Sequence, residues 1–237
     1  MKIALLGYGK MGKEIEQLAL SNGDEIILRA DKNHLVSLED LKHADVALEF
    51  TQPDSVVKNI LLCFEANVPV VVGTTGWYEG LRMIKMECEA KLQAMLYASN
   101  FSVGVNIFFE LNKKLAQLMN KQVDYNIEID ETHHTQKIDK PSGTAISLAN
   151  DILNELTFKT EWQLDEQKNY PKEKLLIHSH RKEEVAGTHI VTYQSSVDTI
   201  EIKHTAHNRK GFAAGALLAS TWLIGKKGVF TMKDVLF

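Results

Sequence analysis

Ile3-Ala4-Leu5-Leu6-Gly7-Tyr8-Gly9-Lys10-Met11-Gly12 is the stretch that decides the fold. A short apolar run stops at three glycines spaced G-x-G-x-x-G. A helical apolar pattern then follows through Met11, Ile15, Leu18 and Ala19 to the breaker Ser21-Asn22-Gly23. In a strand–turn–helix unit such glycines permit a tight turn and let the main chain approach a pyrophosphate. The first helical turn adds unpaired N–H groups and the positive end of the helix dipole. Gly7, Tyr8, Gly9, Lys10, Met11 and Gly12 are therefore candidate dinucleotide contacts. The next strand-like run, 25–30, leads to Asp31, roughly the 20 residues on where a ribose-binding acid belongs. Its carboxylate suits the 2′-OH of NADH, and the neighbouring Lys32 ammonium suits the 2′-phosphate of NADPH, so the pair predicts use of NADPH or NADH.

The same rhythm continues outward. Strand-like runs at 45–50, 68–72 and 94–98 alternate with helical patterns, one of them over 54–66 with Val56, Val57, Ile60, Leu61 and Phe64 in phase. Strands apolar throughout and separated by helices imply a parallel sheet covered on both faces, a doubly wound Rossmann-like α/β domain whose ligands bind beyond the carboxyl ends of the strands. The loops to watch are Gly73-Thr74-Thr75-Gly76 and Ala98-Ser99-Asn100-Phe101, where small residues and hydroxyls let a flat nicotinamide ring lie near backbone donors. Thr51 is placed similarly, or simply starts a turn before Pro53.

Beyond residue 100 the pattern changes. A long helix is expected over 103–119, a strand over 125–129 and a helix over 142–156, then alternating strands at 174–180, 188–194 and 198–204. Late alternating strands predict a mixed or antiparallel sheet with one open face, in an α+β domain. The apolar helix over 211–225 must pack against another element, and the first domain is the expected partner. The reading is thus a dinucleotide-binding domain of 1–102 and 209–237, and a substrate-binding and oligomerisation domain of 103–208.

Composition narrows the partners. With 44% hydrophobic and 24% charged residues the chain reads as globular, and a net charge of −4 gives no reason to expect nucleic acid or an anionic membrane. The first apolar run is too short for a signal peptide and none is long enough for a bilayer, so the expected location is cytoplasmic. Cys63 and Cys88 form no disulfide framework or metal spacing and read as buried thiols.

The most informative stretch is Glu131-Thr132-His133-His134-Thr135-Gln136-Lys137-Ile138-Asp139-Lys140-Pro141-Ser142-Gly143-Thr144-Ala145. Ala145, Ile146, Leu148, Ala149, Ile152, Leu153 and Leu156 give one apolar helix face. Ser142, Gly143 and Thr144 then form a helix N-terminus suited to a carboxylate. A hydride acceptor gains negative charge, so a nearby group must supply a proton. His133 as donor and Lys137 as donor or stabiliser answer that need, with His134 helping to hold a substrate carboxylate. Adjacent histidines in a strand point to opposite faces, which argues against joint metal chelation, and no metal is expected.

This segment resembles the E-x-H-H-x-x-K-x-D-x-P-S-G-T-A signature of the 4-hydroxy-tetrahydrodipicolinate reductase (dihydrodipicolinate reductase) family. Gly73 through Gly76, the run Asn100-Phe101-Ser102-Val103-Gly104-Val105-Asn106 and the run Arg209-Lys210-Gly211-Phe212-Ala213-Ala214-Gly215-Ala216 are similar to family segments in the same order. The resemblance implies an NADPH- or NADH-dependent reductase acting on a cyclic dicarboxylate made from pyruvate and aspartate semialdehyde, on the diaminopimelate route to lysine. By the match, His133 is the proton donor and Lys137 the second donor. His134, Gly143 and Thr144 contact substrate; residues 7–12, Asp31, Lys32, 73–75 and 98–101 carry the cofactor. Family members also imply a hinged pair of domains and a homotetramer built on the second domain's sheet. Three features depart from the pattern: many members have one more residue in the glycine loop, Lys10 stands where arginine is usual, and the connection between Asp31 and Asp45 is compressed. Another two-domain amino- or hydroxy-acid dehydrogenase would explain the glycine loop but not the Pro-Ser-Gly-Thr pocket beside paired histidines. An NAD(H)-binding redox sensor would commonly carry a basic nucleic-acid-binding module, and no such segment is legible here.

Overall fold

In the computed structural model, which describes residues 1–31, 36–165 and 170–237, β1 (Lys2–Leu6) is buried on both faces. Ile3 and Leu5 join one apolar cluster while Ala4 and Leu6 join another. The period of two along a strand thus sends one short run into two cores. Lys32 lies outside the described residues.

After β1 come α1 (Lys10–Ser21), β2 (Glu25–Ala30), α2 (Leu38–Leu41), β3 (Val46–Glu49), α3 (Pro53–Glu65), β4 (Val70–Val72), α4 (Leu81–Ala90) and β5 (Ala94–Tyr97). Then α5 (Val103–Met119), β6 (Asn126–His133), α6 (Gly143–Glu155), β7 (Glu161–Leu164), β8 (Lys174–Arg181), β9 (Gly187–Gln194) and β10 (Thr199–Ala206) follow. The chain ends with α7 (Lys210–Leu223), β11 (Gly228–Phe230) and α8 (Met232–Leu236). It forms two compact units, Met1–Val103 with Arg209–Phe237, and Gly104–Asn208.

The first unit holds a six-stranded sheet in the order β11-β5-β4-β3-β1-β2, with every neighbouring pair parallel. Ile15 and Ala19 of α1 pack with Ala213, Ala216 and Leu223 of α7 on one face; Val56, Ile60 and Cys63 of α3 pack with Ile84 and Cys88 of α4 on the other. This is the doubly wound arrangement expected, with both cysteines buried and the late apolar helix returned to the first unit. From β1 the chain moves to β2 on one side and later to β3 on the other, so a topological switch point opens beyond Leu6 and Glu49. Gly7 has φ +99°, and a Cβ there would lie 2.1 Å from the carbonyl oxygen of Phe50. Only glycine fits where these chain segments pass.

The second unit holds a mixed five-stranded sheet, order β10-β9-β6-β8-β7, in which β8 runs parallel to β6 and β7 while β9 runs antiparallel to β6 and β10. Ile127, Ile129, Leu175, Ile177, Val191 and Tyr193 bury one face against Phe108, Ala116, Leu148 and Ile152 of α5 and α6. β6 runs four residues past the expected end, to His133. The alternation of buried positions persists, but its last two inward places are filled by Glu131 and His133. β7 and β11 were not expected from the sequence: each is too short for its periodicity to stand out from the flanking loops.

Gly7→Ala is expected to destabilise the chain by about 2–5 kcal/mol, combining left-handed strain with main-chain overlap. Urea unfolding measures it, and a loss below about 1 kcal/mol would show that the close approach can relax.

Candidate active site

Three strands of the second sheet change character toward the same end. Their inward residues run Ile129, Glu131, His133 on β6; Ile177, Ser179, Arg181 on β8; and Val191, His189, Gly187 on the opposed β9. Register places Glu131 beside Ser179 and His189, and His133 beside Arg181. An apolar core thus passes into a polar cluster within two residues.

Glu131 is fully buried. Its oxygens accept the Ser142 N–H, at 3.1 Å to each, and the Ser179 hydroxyl. The Arg181 guanidinium donates to Oε1 at 3.4 Å. Nδ1 of His133 stands 3.2 Å from Oε2, within ion-pair range although not aligned as a hydrogen bond. Burial alone would raise the pKa of Glu131. The nearby His133 ring and the donors from Ser142 and Ser179 outweigh it and hold the carboxyl well below the usual carboxylate range.

His189 lies behind this group. Its Nε2 is 3.1 Å from Ser142 Oγ and 3.8 Å from Glu131 Oε2, and its ring meets that of His133 edge-on at 5.1 Å. Burial first, and then the neighbouring His133, push its pKa down to about 3, so it is neutral at ordinary pH. Ser142 is the N-cap of α6: its hydroxyl accepts the Ala145 N–H and still has a proton to share with His189. Gly143 is exposed and Thr144 half-buried on the first turn. A Cβ on Gly187 would sit 3.1 Å from Nε2 of His133, so this glycine makes room for the imidazole.

His134 follows the end of β6 and is half-buried. Lys137 lies in the loop beyond it, its Nζ 2.8 Å from Asp139. Arg181 pins that loop by donating to the carbonyls of Lys137 at 3.3 Å and Asp139 at 2.6 Å. The structure therefore gathers His133, Lys137 and Ser142 around one strand end and one helix start. Ser179, Arg181, Gly187 and His189 were missed in the sequence, and Glu131 was quoted without a role. The available signal was phase: His189 shares the inward parity of Val191 and Tyr193, and Ser179 that of Leu175 and Ile177. Glu131, His133 and His189 bring possible ligand atoms within 4.8 Å of one another. Arg181 and the start of α6 already supply positive charge to the same carboxylate, which opposes a cation there.

The other candidates surround the switch point of the first unit. Gly9 is the N-cap of α1 with no side-chain cap, no acid occupies the first turn, and a Cβ on Gly9 would meet nothing within 4 Å. Gly12 is constrained, since its Cβ would fall 2.4 Å from the Gly7 carbonyl oxygen. Met11 is half-buried and Lys10 exposed. Tyr8 bonds to Glu16, which also accepts from Arg29 at 2.6 Å, tying the glycine loop to β2. Asp31 is exposed just past β2. Gly73 admits the Phe50 ring, and the Thr74 hydroxyl accepts the Thr51 N–H at 2.8 Å, so the loops after β3 and β4 are joined. Thr75 and Ser99 are exposed, Ala98 half-buried, and Asn100 accepts the Ser102 N–H at 2.9 Å. The Phe101 side chain lies in the core.

A doubly wound sheet with an open glycine turn, joined to a mixed sheet that ends in a histidine–carboxylate cluster, defines a two-domain oxidoreductase of the dinucleotide-binding class. The family model for the dihydrodipicolinate reductase N-terminus matches residues 1–101 and that for its C-terminus matches 104–236. The 4-hydroxy-tetrahydrodipicolinate reductase of Christiangramia forsetii is 49% identical over 239 residues, covering 100% of this chain and 98% of the relative. That of Methanosarcina barkeri is 37% identical, covering 97% and 82%. A solved dipicolinate-bound dihydrodipicolinate reductase from Paenisporosarcina sp. superposes with a TM-score of 0.76 at 25% identity, over 98% of this chain and 97% of that one. This chain belongs to the dihydrodipicolinate reductase family.

The neutral burial of His189 has a pH signature. Its folded pKa near 3 lies below the ordinary 6.5, so between those values the unfolded chain binds more protons and stability rises with pH. On acidification from about pH 6.5 to 5, this one group is expected to remove stability at a rate approaching about 1.4 kcal/mol per pH unit. Glu131 acts in the same direction only below its unfolded value near 4.5. Urea unfolding across this window is expected to show a shallower slope for His189→Gln; equal slopes would contradict the assignment.

Proposed function

We propose that this chain catalyses the NADPH- or NADH-dependent reduction of 4-hydroxy-tetrahydrodipicolinate to tetrahydrodipicolinate, on the diaminopimelate route to lysine. The carrying observation is that Nδ1 of His133 and the Ser142 N–H at the start of α6 meet at one carboxylate, Glu131, in a chain of this family. It supports reading His133 as proton donor and the helix start as an anion site. Replacing the ring hydroxyl by hydrogen consumes one hydride and one proton and releases water. The nicotinamide cofactor supplies the hydride when bound.

In this reading His133 delivers the proton, and Lys137 serves as second donor and as a positive charge for the substrate. His134, Ser142, Gly143 and Thr144 receive a carboxylate, with the helix dipole and first-turn N–H groups favouring the anion. The Lys137–Asp139 pair would have to open or swing for Nζ to reach substrate. On the cofactor side, the uncapped start of α1 and the bare Gly9 suit a pyrophosphate, with Tyr8, Lys10, Met11 and Gly12 framing the turn. Asp31 and Lys32 would meet the adenosine ribose. Gly73, Thr74, Thr75, Ala98, Ser99, Asn100 and Phe101 would line the nicotinamide end, Phe101 through its main chain. We also assign a cytoplasmic location, and self-association through the half-exposed face of the second sheet that carries Glu128, Asp130 and His178. No helix among the described residues is long and apolar enough to cross a membrane. Light scattering is expected to give four times the 26.7 kDa chain mass, and a monomer would remove that assignment.

The assay follows NAD(P)H oxidation while the unstable cyclic substrate is generated in situ from pyruvate and aspartate semialdehyde. His133→Gln and Lys137→Ala are each expected to lower kcat by about 10²–10⁴-fold, the range for a lost acid–base group. Near-normal turnover in either would sink its role. Gly9→Ala is expected to keep its unfolding free energy within about 1 kcal/mol while raising KM for NADPH and NADH. An unchanged KM would place the pyrophosphate elsewhere.

A further inference from the structure

Glu131 is a costly choice for the fold. The two preceding inward positions of β6 are Ile127 and Ile129, and a third aliphatic residue would extend the same core. A buried ionised carboxylate instead loses several kcal/mol of hydration, which only good partners recover. Its partners come from three directions: the Ser142 N–H at the start of α6, the Ser179 hydroxyl on β8, and Arg181 at the end of β8. A carboxylate held this way cannot rotate. Nδ1 of His133 stands 3.2 Å from Oε2 without bonding it in line, nearer than Nε2 of His189 at 3.8 Å.

We propose that Glu131 and His189 are positioning residues for the reduction assigned above, holding the His133 ring with its Nδ1 proton turned to the carboxylate and Nε2 left for proton transfer. The inference rests on that reaction, but its central geometric claim can be read without turnover. Three observations support it. Nδ1 of His133 is buried and faces Glu131. Nε2 lies on the side of Gly187, where a Cβ would stand only 3.1 Å from it, so the glycine leaves that edge of the ring uncrowded by a side chain of its own. The His189 ring packs against that of His133, 5.1 Å away between centroids and steeply inclined to it, which restricts tilting of the His133 ring. Because His189 bonds to the N-cap hydroxyl of Ser142 and stays uncharged, it does so without competing for the carboxylate as a second cation. Hydrogen bonds between catalytic groups are often loose without substrate and tighten in the complex, which accounts for the unaligned contact.

The test has two arms on the full-length protein. In histidine-labelled wild type at mildly alkaline pH, ¹⁵N NMR is expected to show neutral His133 protonated on Nδ1, and Glu131→Gln to shift it toward a tautomer mixture. A wild-type His133 protonated on Nε2 overturns the proposal even if no variant folds or no turnover is seen. In the assay, Glu131→Gln and His189→Gln are each expected to lower kcat by about 10–100-fold with KM for the dicarboxylate changed less than about threefold. Added to His133→Gln, Glu131→Gln is expected to cost less than about a further twofold, because it acts through the histidine. Full multiplicative loss in the double variant, or a kcat near wild type in Glu131→Gln, overturns it. Absence of activity in the wild type with Nδ1 protonation intact would instead overturn the assigned reaction alone.

Discussion

The ionised carboxylate of Glu131, buried at the end of the central strand of the second sheet, is the constraint around which the candidate site is arranged. Having lost its water, it must be met by donors, and each donor fixes an element. The Ser142 N–H sets where α6 begins. The Ser179 hydroxyl and Arg181 hold the end of β8 against β6, and Arg181 reaches on to the loop that carries Lys137. Remove the charge and the start of α6 and the end of β8 lose a common partner. Single substitutions in such a network are expected to have effects that do not add.

The first unit works by a different principle. Its candidate cofactor turn is built from what side chains do not occupy: Gly7 because the Phe50 carbonyl passes beneath it, Gly12 because the Gly7 carbonyl does, Gly9 because the space is left open. Main-chain geometry of this kind leaves a direct trace in sequence, since only glycine satisfies it. For that reason the strand–turn–helix over residues 3–12, the alternation that follows, and hence the doubly wound sheet were legible from the start.

The second unit was less legible, for a physical reason. Pattern reading takes polar residues as outward-facing, yet β6, β8 and β9 keep their alternation while exchanging aliphatic for polar side chains at one end. The strand pattern over 125–129 therefore stops where the inward residues become charged, although the backbone ladder runs on to His133. His133, Lys137 and Ser142 were visible because they lie in one contiguous stretch. Arg181 and His189 lie 44 and 52 residues beyond Lys137 and join the site only through strand register. The Ser142 N-cap, by contrast, was readable locally from the Pro-Ser-Gly-Thr turn and the apolar face behind it.

Charge balance explains why two adjacent buried histidines can share this place. The Glu131 carboxylate and the Arg181 guanidinium offset one another, and His189 is kept neutral by burial. Apart from His133 itself, the cluster is thus close to zero net charge. If His189 ionised as well, two imidazolium rings 5.1 Å apart would repel each other in a medium that screens poorly. Desolvation makes His189 a poor base, so in the proposed reaction the proton is assigned to His133, the imidazole of the pair that stands 3.2 Å from the Glu131 carboxylate.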